Sequence, residues 1–305
     1  MQARSARLTI ITLIVLAAII AGYIFYAGHE KEAALKSSKG ITILVTFHDL
    51  VDDIDQVVCE DDKVYSIAPP GVDPHTYSLS IDDIKKAKKA SLIISTAHAP
   101  FELQLREKID KSKLIEIPSI PGIRIENIAG TSTPNLHMPI YDPQNYIIFI
   151  KYVSRKLAQI NPVCAQNYTA NADKVIKYVE ELANKAPRLN LDAVGSTPLT
   201  QYAVEWLGVR IKALLMISPE VGVTTESYSK IKEMLEGKKV DLAVIVTKDP
   251  NKCDPLTKAD ETLNELANKY GVKKLCVPAP FLPGSIPSKL EVIVAQAWGI
   301  LQEQG

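Results

Sequence analysis

Short β-branched runs alternate with stretches of helical period along most of this chain. In the first half, apolar runs at 41–46, 64–68, 91–96 and 114–117 read as strands, with helices over 49–58, 80–90 and 100–110 between them. Ser80 followed three residues later by Asp83 forms a capping-box signal. Asp142-Pro143 supplies an N-cap and a first-turn proline for a helix reaching about residue 160. The scheme repeats in the second half. Strands are expected at 191–195, 210–216, 241–246 and 273–277, and helices at 198–207, 225–236, 255–270 and 287–303. Gly208, Gly237 and Gly271 fall where helices should stop, and Asp254-Pro255 repeats the Asp142-Pro143 start signal.

Strands alternating with helices of this length imply βαβ units and mainly parallel sheets. The fold expected is therefore α/β, with two lobes at 41–161 and 188–305, each built on a mainly parallel four-stranded sheet. Residues 163–186 contain neither proline nor glycine and lie between Pro162 and Pro187. They predict one long helix, about 36 Å at ~1.5 Å per residue, so 162–187 is expected to join the lobes as a rigid strut. Two lobes on a strut enclose a cleft, a common place for a ligand.

The N-terminus departs from this pattern. Residues 8–28 carry no charge, follow Arg4 and Arg7, and end in Tyr23, Phe25 and Tyr26. Twenty-one helical residues span roughly 31 Å, about one hydrocarbon thickness, and aromatics suit the interface. Residues 1–28 are thus expected to be a transmembrane anchor, or a cleaved signal. A tether follows over 29–40, and the bulk of the chain lies on the extracellular or periplasmic side. No cysteine lies near residue 28, so a lipid-modified cysteine is not the expected tether. The chain's four cysteines suit an oxidising compartment, and Cys59–Cys164 and Cys253–Cys276 are the expected disulfides because each pair lies within one lobe or at its edge. Asn167 opens an Asn-Tyr-Thr glycosylation sequon.

Composition narrows the class. Thirty-five basic residues balance 35 acidic ones, which gives no reason to expect nucleic acid as a partner. No phosphate-cradling glycine loop is present. The chemistry lies in the histidines. His29 is in the tether, and the other four, His48, His75, His98 and His137, all fall in the first half. His48, His75 and His98 each follow a predicted strand, and His137 precedes the Asp142 helix. Ligands of parallel sheets bind beyond the carboxyl ends of strands, so all four imidazoles can share one rim. Neutral imidazole is the ligand for Zn(II), Cu(II) and Ni(II), whereas Mn(II) prefers carboxylates.

The stretch "PPGVDPHTYSLSIDDIKKAKKASLIIS" resembles the zinc/manganese-type substrate-binding proteins of ABC transporters. "NLHMPIYDPQNYIIFIKYVSRKLAQINPVCAQNYTANADKV" resembles the second motif of that family, and the likeness covers about residues 41–303. It implies His75 as the first metal ligand and His137 as the second. The family's third ligand, a His or Glu at the start of the helix after the first strand of the second lobe, corresponds here to Ser196 or Thr197. Its fourth, an Asp after the last strand, meets "PAPFLPGSIP", which has no carboxylate. His98 and His48 are expected to fill the vacancies, with Glu102, Glu220 and Asp249 as possible additions. Glu102 also reads as a first-turn acid of its helix, and Asp249 as a loop acid.

The function expected is capture of a divalent transition metal outside the cell, Zn(II) first, with Mn(II), Cu(II) or Ni(II) as alternatives, and delivery to an ABC permease in the same membrane. A monomer is expected, and no catalytic role. A second reading keeps the fold but gives it a small organic ligand or a scaffold role. A third, a metal-dependent exported hydrolase with Asp49 or Asp52 as base, has no HExxH or GxSxG motif behind it.

Overall fold

A computed structural model of the chain describes residues 18–23, 40–72, 75–219 and 221–303. The expected anchor over 8–28 falls mostly outside them. Among the described residues no helix is long and apolar enough to cross a membrane.

The first sheet holds β1 (Thr42–Val45), β2 (Lys63–Ser66), β3 (Leu92–Ser95) and β4 (Leu114–Glu116). Their order is β2-β1-β3-β4, and every pairing is parallel. Parallel strands are covered on both faces, and all four residues of β3 are buried. Around the sheet lie α1 (Val51–Asp55), α2 (Ile81–Lys89), α3 (Pro100–Arg106) and α4 (Pro143–Ile160). Ser80 and Asp83 close the capping box of α2, and the Asp142 carboxylate accepts from the Gln144 and Asn145 amides at the start of α4. The helix expected over 49–58 is shorter: a 3-10 turn at His48–Leu50 runs into α1.

The long helix is α5 (Ala165–Lys185), entered through a 3-10 turn at Pro162–Cys164. The second sheet follows with β5 (Asp192–Gly195), β6 (Arg210–Leu214), β7 (Leu242–Asp249), β8 (Asp254–Pro255) and β9 (Lys273–Pro278). It has five strands where four were expected. β6, β5, β7 and β9 pair in parallel, while β8 folds back antiparallel onto β7. Its helices are α6 (Leu199–Val204), α7 (Thr225–Glu236), α8 (Lys258–Tyr270) and α9 (Ile286–Gln302). Asp254-Pro255 is therefore strand, not a helix start. The cap of α8 is Thr257, whose hydroxyl accepts from the Asp260 amide while the Asp260 carboxylate accepts from the Thr257 amide. Both expected disulfides are present, Cys59–Cys164 and Cys253–Cys276, the second pinning the β7–β8 hairpin to β9.

One apolar cluster runs through both lobes, from Ile43, Ile94 and Tyr146 to Val244, Val277 and Leu290. Polar ties cross the same junction. Asp52 accepts from the Gly284 amide, and Asp53 accepts from the Tyr146 hydroxyl and the Ile286 amide. Lys289 is 3% exposed and donates to the Pro280 carbonyl. Burial pushes the Asp53 carboxyl up to about 7 and Asp49 up to about 6, although Lys289 pulls both down. Each of these carboxyls keeps one buried oxygen, Oδ2, without a hydrogen-bond partner, where a proton on the neutral acid can sit.

Candidate metal centre

The carboxyl ends of the two sheets face each other across a cleft of about 320 Å³. Its first-lobe wall carries Phe47, Asp49, His75, His98, His137 and Met138. The second-lobe wall is built from strand-end residues: Thr197, Pro198 and Leu199 after β5, Met216 and Pro219 after β6, Leu256 and Thr257 after β8, and Pro280 and Phe281 after β9.

Three imidazoles meet at this edge. One ring nitrogen from each of His75, His98 and His137 lies within 4.8 Å of the others, and the His98 side chain is only 9% exposed. Their centroids are 5.1 Å apart for His75–His98 and His98–His137, and 6.0 Å for His75–His137. His48 does not join them. Beyond the end of β1, Phe47 is buried and its ring meets His98 edge-on at 5.6 Å, while His48, first residue of the 3-10 turn, is exposed. There its Nδ1 lies 3.2 Å from the Ser66 hydroxyl. Glu220 lies outside the described residues. Asp249 closes a surface turn by accepting from the Asn251 and Lys252 amides.

Two of the rings have their tautomer set by their neighbours. Thr96 donates its single hydroxyl proton to Glu102 Oε2 at 2.8 Å. Its oxygen, 2.9 Å from His98 Nδ1, must then accept, so Nδ1 carries the proton and Nε2 the lone pair. Asn135 does the same for His137. Its amide nitrogen donates to the Pro198 carbonyl at 2.9 Å, which leaves Oδ1 to accept from the His137 amide at 3.1 Å and from Nδ1 at 3.3 Å. Partners of this kind fix ring orientation in metal sites and raise the basicity of the outer nitrogen.

Glu102 is the knot of the His98 loop. Its buried carboxylate accepts from the hydroxyls of Thr46, Ser95 and Thr96 and from the amides of Thr96, His98 and Ala99. Burial pulls its pKa upward, but the neighbouring His98 and these donors outweigh that pull and hold it below the usual carboxylate range. Glu102 is thus a first-turn acid of α3 that braces a loop rather than a member of the imidazole cluster. Two non-glycine residues adopt left-handed backbone beside the cluster, Ala97 (φ 59°) and Met138 (φ 50°), each adjacent in sequence to one of the imidazoles. Strain of this kind persists only where surrounding contacts enforce it.

The described residues of the second-lobe wall include no carboxylate, imidazole or thiolate. Ser196 is fully buried and turned away from the cleft, its hydroxyl lying at the Val246 amide. Thr197 faces the cleft instead. Asn135 is a positioning residue that sequence reasoning missed, since nothing but its place beside His137 marks it. Asn135→Ala should weaken metal binding about tenfold, within the ~10–100-fold range for partners of ligating histidines. It should also lower the melting temperature, because the Pro198 and Gln201 contacts that link the lobes go with it. Calorimetric titration and thermal melts read the two effects.

Two α/β lobes whose strand ends face across a cleft edged by three imidazoles define a protein built to hold a small solute between its lobes. The chain belongs to the family described as zinc-uptake complex component A, periplasmic (ZnuA), whose sequence model matches residues 43–277. This family and the curated relatives are substrate-binding proteins of transporters, not enzymes. The chain is 28% identical over 187 residues to a metal ABC transporter substrate-binding lipoprotein of Lactococcus lactis, a match spanning 58% of each chain. It is 26% identical over 234 residues to the manganese ABC transporter substrate-binding lipoprotein PsaA of Streptococcus pneumoniae, covering 69% of this chain and 74% of that one. Among solved structures, FpvC of Pseudomonas aeruginosa in complex with Mn2+ shares the fold at a TM-score of 0.70 and 19% identity, covering 88% of this chain and all of the other. A Cd-bound periplasmic metal binding protein of Candidatus Liberibacter asiaticus shares it at 0.69 and 16%, covering 86% and 99%.

Proposed function

We propose that this protein captures a divalent transition metal in the interlobe cleft, outside the cell, and hands it to the permease of an ABC transporter. The observation that carries the reading is the convergence of His75, His98 and His137 at one edge of the cleft. The metal it suits best is Zn(II). The cluster of three nitrogen donors, with no carboxylate among the described residues, matches the ions that favour imidazole, while Mn(II) favours oxygen. The family is described by zinc uptake while several relatives are named for manganese, so the donor set is what tips the choice toward zinc. The relatives are also named lipoproteins, yet the first cysteine here, Cys59, is engaged in a disulfide. We attribute the tether to the apolar run 8–28 instead.

Titration of the metal-stripped protein with Zn(II) and with Mn(II) tests this. One tight Zn(II) site per chain is expected, with Mn(II) bound at least tenfold more weakly. Tighter Mn(II) binding would reverse the choice of metal, and no uptake of either ion would remove the metal reading.

A further inference from the structure

We propose that the edge of the first sheet where its strands begin is a membrane-facing surface, resting on the anionic headgroups of the bilayer that holds the tether. Its contact is the basic corner built by the ends of α2 and α3 and the turn before β4. This inference rests on the attribution of the tether to residues 8–28 and adds how the first lobe sits on the lipid.

The first observation is where the chain enters. The four strands are parallel, so all of them begin at one edge, opposite the cleft. β1 is entered there, and the Asp62 carboxylate marks the spot by accepting from the Ile41 and Cys59 amides. The twelve residues 29–40 separate the apolar run from Ile41, and a chain of that length spans at most about 40 Å. This edge is thus the part of the lobe tied closest to the bilayer.

The second observation is charge. α2 and α3 run back toward the same edge, since β3 and β4 start directly after them. The last turn of α2 carries Lys86, Lys88 and Lys89, and Lys108, Lys111 and Lys113 follow α3. Lys113 closes the corner by donating to the Lys88 and Ala90 carbonyls. The acids among them are Asp82, paired with Lys86, Glu107, 4.0 Å from Lys111, and Asp110, which caps the turn before β4. Cations outnumber them at this corner of a chain whose net charge is zero. The helix dipole accounts for lysines in the last turn of α2, but not for Lys111 and Lys113, which lie on the turn beyond α3. Glu60 and Asp61 precede β2, at the other end of the edge, three strand spacings or about 14 Å from β4. The third observation is apolar exposure. Val163 and Ile160 are 47% and 38% exposed, and they lie beside the entry point because Cys164 is bonded to Cys59. Apolar side chains and lysines on one edge match the headgroup boundary, where apolar groups leave water and cations meet anionic lipid. In this pose the cleft stands clear of the lipid by the thickness of the first lobe.

Lysine footprinting of the full chain tests the proposal. The chain is reconstituted into vesicles of phosphatidylcholine alone and of equal parts phosphatidylcholine and phosphatidylglycerol. Its outward lysines are then acetylated with a membrane-impermeant ester and read by peptide mass spectrometry. Lys88, Lys108 and Lys111 should react about threefold or more slowly on the anionic vesicles, and the difference should vanish at high salt. Lys238, exposed just before β7 on the far side of the cleft, should react equally on both. Lys88→Gln/Lys89→Gln changes two exposed positions and should bring Lys108 and Lys111 to within about twofold of their rates on neutral vesicles. The proposal fails if Lys108 and Lys111 react alike on both lipids, or if their slowing survives high salt or the double variant. Slowing of Lys238 to the same extent marks non-specific adsorption and also overturns it. Failure of the tether attribution looks different, since the chain is then washed from both kinds of vesicle by high salt, and the pose falls with it.

Discussion

Replacing His98 by alanine is expected to weaken Zn(II) binding about 100-fold or more, that is by ~2.7 kcal/mol or more. The middle ring of the cluster would be lost, the one 5.1 Å from both of the others. Removing even an indirect partner of a metal ligand costs ~10–100-fold, so loss of a direct donor sets that as the floor. The fold should survive. The hydrogen bonds that brace its loop run to its main-chain amide and to Thr96, Ala97 and Ala99, all of which remain. His48→Ala provides the contrast, because its ring faces solvent beside Ser66, and its affinity should stay within about threefold of the parent. Calorimetric titration of both variants decides the matter. Equal loss in both would return His48 to the site, and no loss in His98→Ala would remove His98 from it.

The second large effect concerns stability. Cys59–Cys164 closes a chain segment of 105 residues, and Cys253–Cys276 one of 23. Constraint of the unfolded chain by loops of these lengths is worth about 5 and about 3 kcal/mol, respectively. The double variant Cys59→Ser/Cys164→Ser should therefore melt roughly 10 °C or more below the parent, at ~2–4 °C per kcal/mol for a chain of this size. The Cys253→Ser/Cys276→Ser variant should fall less. Neither bridge touches the cleft, so zinc affinity measured below the melting range should hold. Paired melts and titrations separate these outcomes, and an inverted order of the two variants would contradict the loop-length argument.

Much of this architecture is legible in the chain because its signals are local. Ser80 with Asp83 and Asp142 with Pro143 start helices where capping chemistry says they should. The strand-end rule brought His75 and His98 to one rim, since parallel strands all deliver their following loops to the same edge, and the Asp142 helix start placed His137 in the loop that joins them. The same rule misplaced His48. That residue follows β1 as directly as His98 follows β3, but the chain turns into a 3-10 helix at once, and the inward position falls to Phe47. Asp254-Pro255 carried a helix-start pattern that the antiparallel hairpin with β7 overrode, moving the cap to Thr257. Glu102 was legible as a first-turn acid, since most of its donors are local, but its bond to Thr46 was not. Asn135 was illegible because its partner Pro198 lies across the cleft.

The apolar cluster that passes from Ile43 through Tyr146 to Leu290 has a consequence for how the molecule comes apart. Lobes with separate interiors melt as separate bodies, and a hinge between them bends at little cost. Here the largest apolar cluster is shared, beside a separate one in each lobe, and the carboxylates of Asp52 and Asp53 bind the amides of Gly284 and Ile286 across the junction. The two halves are therefore expected to unfold together. Wide separation of the lobes would belong to the same rare openings that expose the core to solvent, not to the fast, low-energy motions of loops. Breathing at the cleft would be left to its own lining, while the frame that spaces the two walls keeps the time scale of global unfolding.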